Sequence, residues 1–469
     1  MYLDIFRKIK ENCLRKETHE ADGEKAGDEM KRNALRALEA WKQNPRRKPL
    51  LVYGARQVGK TYLLKEFGAA NFKSIVYFDL EKQADARAAF EGDLSPRIIM
   101  SNLSQVTGRS IDISNTLIVF DEVQASNRAL ASLKYFCEEM PEAYVAAAGS
   151  LLGVAVNREG YSAPVGKVDT LTLPPMTFDE FLSALGQERL AKGIRESYER
   201  NEAYFLHDRA LDLYRAYLLV GGMPEAVRIY SETGDFDAVS RVQDTILNLY
   251  IADMAKYAQP YETARIIEAW KSVPAQLAKE NRKFQYKTVR SGGRASQYET
   301  ALAWLEAAGL VNRCVQVTSG RLPLALHENR TAFKIYLADT GLLSALMRIR
   351  PSMLFDEEGR RELDAGAVTE NYVAQALVAQ GLSLAYWASQ GKAEVDFVID
   401  LGSSKAIPLE VKSSSNVRSK SLSVYRDKYA PPYALRLSTK NFGFENGMRS
   451  IPLYAAFCLA RTSNAASTA

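Results

Sequence analysis

The stretch GARQVGKTYLL, Gly54 to Leu64, decides how the rest of this 469-residue chain is read. Gly54-Ala55-Arg56-Gln57-Val58-Gly59-Lys60-Thr61 fits the pattern G-x-x-x-x-G-K-[ST]. Its surroundings are those the pattern needs. PLLVYG (49–54) reads as a buried strand, and Leu63, Leu64 and Phe67 form the apolar side of a helix that stops at Gly68. Between strand and helix, the glycines let backbone N–H groups curl around phosphates at the helix N-terminus. Lys60 then reaches the β and γ phosphates of a nucleotide, and the Thr61 hydroxyl binds Mg²⁺.

Working outward, a phosphate-binding loop needs acids on a neighbouring strand. LIVFDE (117–122) supplies them, with an apolar run that buries the strand and Asp121 and Glu122 at its C-terminal end. Asp121 is expected to hold Mg²⁺ through water, and Glu122 to orient or deprotonate the attacking water. The next strand ends in Ala148-Gly149-Ser150. Ser150 is read as a γ-phosphate sensor, against the plainer reading of a small turn residue. Together with SIVYFDL (74–80), YVAAAGS (144–150) and VDTLTL (168–173), these runs alternate with helical patterns such as ALASLKYFCEEM (129–140). Such alternation predicts a parallel sheet covered by helices on both faces.

Composition narrows the classes. The chain is 47% apolar and 25% charged, as ordinary globular proteins are. The longest nearly apolar stretch, Ala143 to Val156, is too short to span a bilayer, and the charged N-terminus lacks the apolar block of a signal peptide. A cytoplasmic protein without membrane contact is expected. Cys13, Cys137, Cys314 and Cys458 form no CxxC pair, and His19, His207 and His327 are scattered, so any metal should be a hard cation held by oxygen. The net charge of +5 is mild. Local clusters say more: residues 281–297 carry Arg282, Lys283, Lys287, Arg290 and Arg294 and no acid, and 412–428 carry Arg418, Lys420, Arg426 and Lys428. Both are candidate contacts to a DNA backbone.

Residues 1–45 read as an N-terminal helical segment, with Ala34, Leu35, Leu38 and Trp41 at helical spacing and a polar, acidic stretch over 18–30. Residues 177–280 read as helices, including Thr263 to Val273, which Pro274 should end or kink. In 281–347 a basic turn precedes a helix Gln297–Ala308, opened by the capping-box pattern SQYE (Ser296 to Glu299) and ended by Gly309. Strands LVNRCVQV and AFKIYLA follow, and the order is that of a winged helix. The last region is α/β: a helix Val368–Gln380, strands AEVDFVI (393–399) and AIPLEVK (406–412), a helix near Ser421–Tyr429, and strands YALRL and IPLYAAF. The polar tail RTSNAASTA (461–469) is expected to be disordered.

That region holds a second constellation. Side chains alternate along a strand, so Glu410 and Lys412 share one face, and Asp396 faces away from the row Val395, Phe397 and Ile399. Two adjacent strands can therefore point Asp396, Glu410 and Lys412 into one pocket. The plainer alternative is a pair of edge strands with solvated charges.

GARQVGKT, FDEVQ, AGSLL, LPPMTFDEFL and VGGMPEAV, in that order, resemble the AAA-type ATPases of bacteria and archaea that carry a C-terminal domain of unknown function. The resemblance covers about 30 to 460. It implies ATP and Mg²⁺ as cofactors, and a core with an extra strand between the P-loop strand and its Asp-Glu partner, followed by a helical lid. The C-terminal constellation resembles the PD-(D/E)xK nuclease fold. There the acids hold Mg²⁺, the lysine activates water, and Glu370 matches an acid on the preceding helix. The expected fold is thus α/β: AAA-type core (46–180), helical lid (181–280), winged helix (281–350) and restriction-endonuclease-like module (351–460). Relatives often have Gly-Arg where this chain has Gly166-Lys167, so no arginine finger carries over there; Arg128, Arg158 and Arg215 are the remaining candidates. ATPases of this type often assemble, so a homo-oligomer is open. Three functions compete: an Mg²⁺-dependent ATPase coupled to DNA binding or cleavage, a slow nucleotide switch whose C-terminal module binds DNA or protein without cutting, and a pure protein-interaction switch.

Overall fold

The computed structural model describes residues 31–156, 166–279, 282–362, 365–389, 393–413 and 420–459. The N-terminal stretch with Cys13 and His19, Arg158, Asn281, Arg418 and the 461–469 tail lie outside them. The P-loop strand β1 (Leu50–Tyr53) belongs to a five-stranded parallel sheet of order β2-β3-β4-β1-β5. The others are β2 (Ser74–Asp79), β3 (Thr116–Asp121), β4 (Tyr144–Ala148) and β5 (Asp169–Thr172). As expected, an extra strand, β4, separates β1 from the acid-bearing β3. Both faces are covered. Along β3, Leu117 and Val119 enter one apolar core while Ile118 and Phe120 enter another, as period-2 alternation requires.

Six helices from Phe178–Ala184 to Pro260–Leu277 follow the sheet. The last does not end at Pro274 but runs three residues further. Ile266, Trp270, Val273 and Leu277 are all buried along it, and that packing outweighs the backbone hydrogen bond a proline forfeits. Two glycines of VGGMPEAV sit where backbones cross. A Cβ at Gly222 would lie 2.0 Å from Met176 O, and one at Gly221 2.3 Å from Asp339 Oδ1. Asp339 accepts from Gly222 N at 2.6 Å and caps the helix Thr340–Leu346 through Leu342 N at 2.9 Å.

The C-terminal half contains two sheets. One has the order β7-β6-β8-β9, from β6 (Val311–Val317), β7 (Glu328–Leu337), β8 (Ala385–Ser389) and β9 (Ala393–Val395). β6 pairs antiparallel with β7 and parallel with β8. The hairpin following the basic turn is therefore continuous with strands beyond residue 380. The other sheet has the order β10-β11-β12-β14-β13, from β10 (Phe397–Ile399), β11 (Ile407–Val411), β12 (Ala434–Ser438), β13 (Gly443–Glu445) and β14 (Met448–Pro452).

Three details differ from the sequence reading. AEVDFVI is two strands: β9 pairs with β8, β10 pairs with β11, and the chain bends between the sheets at Asp396. The helix of the basic region starts at Ala295, because Gln297 accepts from Arg294 N at 3.0 Å and makes Arg294 rather than Ser296 the cap. It does end at Gly309, whose φ of +70° and the Leu310 N to Leu305 O bond of 3.0 Å close the helix. IPLYAAF is extended only to Pro452; Leu453–Cys458 turns into a 3₁₀ helix.

Candidate nucleotide site and C-terminal acid cluster

The P-loop geometry depends on its glycines. Gly54 (φ +146°) and Gly59 (φ +92°) adopt backbone conformations that suit glycine, and a Cβ at Gly54 would lie 2.4 Å from Leu173 O. The helix Lys60–Asn71 starts directly after Gly59. Lys60 is buried and donates to Gly54 O and Ala55 O, each at 2.9 Å. Burial lowers its pKa to about 8, against the opposing pull of Glu122 and Asp121. The fold also fixes three residues of the loop. Arg56 pairs with Asp253 at 2.5 Å, and its carbonyl accepts from Tyr250 OH at 2.9 Å. Both partners lie on the helix Phe236–Tyr257. Gln57 has φ +70°, and Val58 is fully buried.

The acids lie at the end of β3. Asp121 Oδ2 accepts from Thr61 Oγ1 at 2.5 Å and from Tyr77 OH at 2.8 Å. Glu122 is in the left-handed region at φ 48°. Its carboxylate accepts from Gln124 Nε2 at 2.5 Å, Ser150 Oγ at 3.0 Å and Ser150 N at 3.3 Å. Thr61 and Asp121 thus present hard oxygens side by side, a donor set that suits Mg²⁺.

Sequence reasoning missed Arg32, Tyr77 and Gln124. Arg32 donates to Val58 O at 2.8 Å and Pro174 O at 2.6 Å, and pairs with Glu180 at 3.2 Å. It fastens the P-loop to the TFDEF motif, where Glu180 also accepts from Thr177 N at 2.8 Å. Only Gln124 had a signal, through its place in FDEVQ. Of the arginine-finger candidates, Arg158 lies outside the described residues, and the other two, like Lys167, have partners of their own. Arg128 donates to Phe90 O at 2.6 Å, Arg215 pairs with Asp212 at 2.5 Å, and Lys167 pairs with Glu138 at 2.9 Å. Lys167 also precedes β5, at the end of the sheet opposite the P-loop.

In the C-terminal half, Asp396 Oδ2 accepts from Val411 N at 2.8 Å, and Lys412 pairs with Glu410 at 2.8 Å. Asp396, Glu410 and Lys412 therefore lie at one end of the β10–β11 pair. Glu410 is buried, and its Oε2 has no hydrogen-bond partner. Glu370 makes different contacts. It is 1% exposed and held by Lys334 at 3.1 Å, by Arg282 and by the Tyr336 hydroxyl. Lys334, equally buried, also pairs with Glu394 at 2.8 Å. Arg282 of the basic turn is thus directed inward, whereas Lys287, Arg290 and Arg294 are exposed, as are Lys420 and Lys428. Among the described residues no group of three or more His, Cys, Asp or Glu could hold a metal ion. His207 is a structural histidine, bonded to Tyr454 OH at 2.9 Å and Thr439 O at 3.0 Å. No described helix is long and apolar enough to cross a membrane.

A parallel sheet of this order, a glycine-shaped phosphate loop and an Asp-Glu pair beside it define an AAA-type P-loop ATPase core, a nucleotide-binding class. Comparison with protein families agrees: residues 46–182 match the model described as AAA domain. Residues 211–353 and 365–456 match two models described as Domain of unknown function (DUF8612) and Domain of unknown function (DUF4143). Among curated proteins, none matches this sequence. The chain is similar to the Walker-type ATPase PABY2304 of Pyrococcus abyssi, at 15% identity over 67% of this chain and 94% of that one, with a TM-score of 0.40. It is also similar to the Aeropyrum pernix ORC1 protein in complex with DNA, at 14% identity over 67% and 91%, with a TM-score of 0.29. AMPPCP-bound DnaA from Aquifex aeolicus matches at 12% identity over 59% and 88%, with a TM-score of 0.24. These likenesses are distant, and no residue role is carried over from them.

Proposed function

We propose that this protein is an Mg²⁺-dependent ATPase whose nucleotide state controls DNA binding by its C-terminal half. One observation carries the coupling: the helix Ala295–Ala307 touches the nucleotide site at one end and carries the exposed basic turn at the other. A Cβ at Gly309 would lie 3.3 Å from Ala55 N, and one at Gly153 2.1 Å from Ala307 O. Tyr53, Gly54, Ser150, Glu306 and Ala307 line the cavity between them. The negative C-terminal end of the helix thus faces the loop that takes phosphates, while the Glu306 carboxylate is paired with Arg313, and a triphosphate there disfavours this docking. Arg290 and Arg294, at the opposite end, are placed for a DNA backbone. The helix, the turn and the β6–β7 hairpin serve as a winged helix.

In the ATPase step, the P-loop amides and Lys60 bind the β and γ phosphates. Thr61 and Asp121 would hold a Mg²⁺ ion, which would supply positive charge to offset that developing on the phosphates. Tyr77 fixes the Asp121 carboxylate. Glu122, oriented by Gln124 and Ser150, takes the proton of the attacking water. With Gly166-Lys167 in place of Gly-Arg, and Arg128 and Arg215 paired elsewhere, slow turnover is expected. DNA affinity measured with and without a non-hydrolysable ATP analogue tests the coupling. A 5- to 150-fold difference is expected, on the order of ordinary allosteric coupling, and Lys60→Ala should erase it. Equal affinities in both nucleotide states would sink the proposal.

A second reading, Mg²⁺-dependent cleavage, is favoured by the unpartnered Glu410 Oε2 beside Asp396 and Lys412. It omits Glu370, whose charge Lys334 and Arg282 already compensate. Loss of cleavage in Lys412→Ala is its test. Wild type that binds ATP yet leaves branched and linear DNA intact removes it.

A further inference from the structure

A cleft of about 270 Å³ separates the helix Pro260–Leu277 from the loop that precedes Ala295. Tyr261 and Arg265 line one side of it, and Arg290 with Ser291-Gly292-Gly293 the other. We propose that this cleft takes one unstacked nucleotide of a DNA strand, its base on Tyr261 and its phosphate between Arg265 and Arg290. The inference rests on the DNA-binding reading above and narrows it to strands whose bases are accessible.

Four observations support it. Tyr261 is 71% exposed, a large aromatic face left in solvent on the first turn of a helix. Such a face binds any base by stacking. The two arginines are exposed and the cleft is positively charged overall, since Glu268 is the one acid in its lining. Glu268 is already engaged, accepting from Tyr298 OH at 2.6 Å with Arg290 at 3.7 Å. The loop is shaped to stay open: Gly292 has φ +76° and nothing within 4 Å of where a Cβ would stand. Gly293 lets the same loop seat closely, since a Cβ there would be 2.4 Å from Tyr286 O. Finally, the volume is just below the roughly 300 Å³ at which drug-sized ligands are enclosed. It suits a single base and its phosphate rather than a strand. In intact duplex the faces of the bases are stacked on one another, so the cleft selects single-stranded, frayed or branched DNA.

The full chain is titrated against a labelled single-stranded oligonucleotide and against the same sequence as a blunt duplex. Tyr261→Ala should weaken single-strand binding by about 5- to 150-fold, the range of one base–aromatic stack, and leave duplex binding unchanged. Tyr261→Phe should bind like wild type. Because Tyr261 is exposed, its removal leaves the core intact. Unchanged single-strand affinity in Tyr261→Ala, or an equal loss on both substrates, overturns the cleft while DNA binding stands. A wild type that binds neither substrate overturns the DNA reading and the cleft with it.

Discussion

Asp121 and Glu122 end a strand in the ATPase core, while in the C-terminal half Glu394 and Glu410 lie in strands and Glu370 in a helix, and the two sets have different partners. The hydrogen bonds to Asp121 and Glu122 come from neutral groups: hydroxyls of Thr61, Tyr77 and Ser150, and the amide of Gln124. The C-terminal acids are met by cations: Lys334 and Arg282 at Glu370, Lys334 at Glu394, Lys412 at Glu410. Neutral donors orient a carboxylate and leave its charge available to a metal ion or to an attacking water. Cations cancel that charge, and their removal leaves a buried ion alone. On this comparison the first set keeps its charge open to a ligand, whereas Glu370 ties the helix Gly366–Ala379 to β7 and the basic turn.

The largest expected effect lies in the first set. Glu122→Gln keeps the size and the hydrogen bonding of the side chain but cannot take a proton. ATP turnover should fall about 10²- to 10⁴-fold, with nucleotide affinity retained in a binding titration. Normal turnover with intact binding would show that Glu122 is not the base and erase half of the contrast. Glu370→Gln should instead cost stability, about 3–5 kcal/mol in urea unfolding, because Lys334 stays buried with too little countercharge. A more stable variant would mean that Glu370 is a strained functional acid after all.

Next comes a pH effect at the junction between the halves. Asp339 is fully buried, and burial raises its pKa to about 6 against the hydrogen bonds from Gly222 and Leu342. A carboxyl whose folded pKa exceeds its unfolded value binds protons more tightly when folded. Its stabilising contribution is complete below pH 4 and is lost as pH rises through 6. The loss should reach about 3 kcal/mol. Asp339→Asn should flatten the slope of unfolding free energy between pH 4 and 7 relative to wild type. Parallel slopes would show that Asp339 titrates near its unfolded value.

What the sequence disclosed follows from the range of the interactions. The five parallel strands and the phosphate loop are local patterns, written in runs such as LIVFDE and GARQVGKT, and each appears where its residues predict. Arg32 is invisible to such reading, since it binds Val58, Pro174 and Glu180 from outside every motif. Tyr77 looks like an ordinary β residue until β2 lies beside β3. AEVDFVI reads as one strand because its alternation is unbroken; only the pairing partners reveal that Asp396 divides it between two sheets. The lysine partner of Glu370 sits 36 residues away inside the strand AFKIYL, where an alternating pattern gives no hint that Lys334 points inward.

The smallest expected effect sharpens the comparison most. Lys412 is one-third exposed, whereas Glu410 is buried. Lys412→Ala should therefore cost only about 1 kcal/mol, less than the loss at Glu370, because water screens much of this pair. It also leaves Asp396 and Glu410 at one end of the β10–β11 pair without the cation that competes for Glu410. If these acids form a metal site, Mg²⁺ added without nucleotide should raise the melting temperature of Lys412→Ala more than that of wild type. At a concentration about 100-fold above Kd the gain would be about 2.7 kcal/mol. Running both proteins in an Asp121→Asn background keeps the Thr61–Asp121 oxygens of the ATPase site from contributing a Mg²⁺ shift of their own. A selective Mg²⁺ shift would place Glu410 with Asp121 and Glu122 among the acids that serve a ligand. No shift in either protein would place it with Glu370, as an acid that serves the fold.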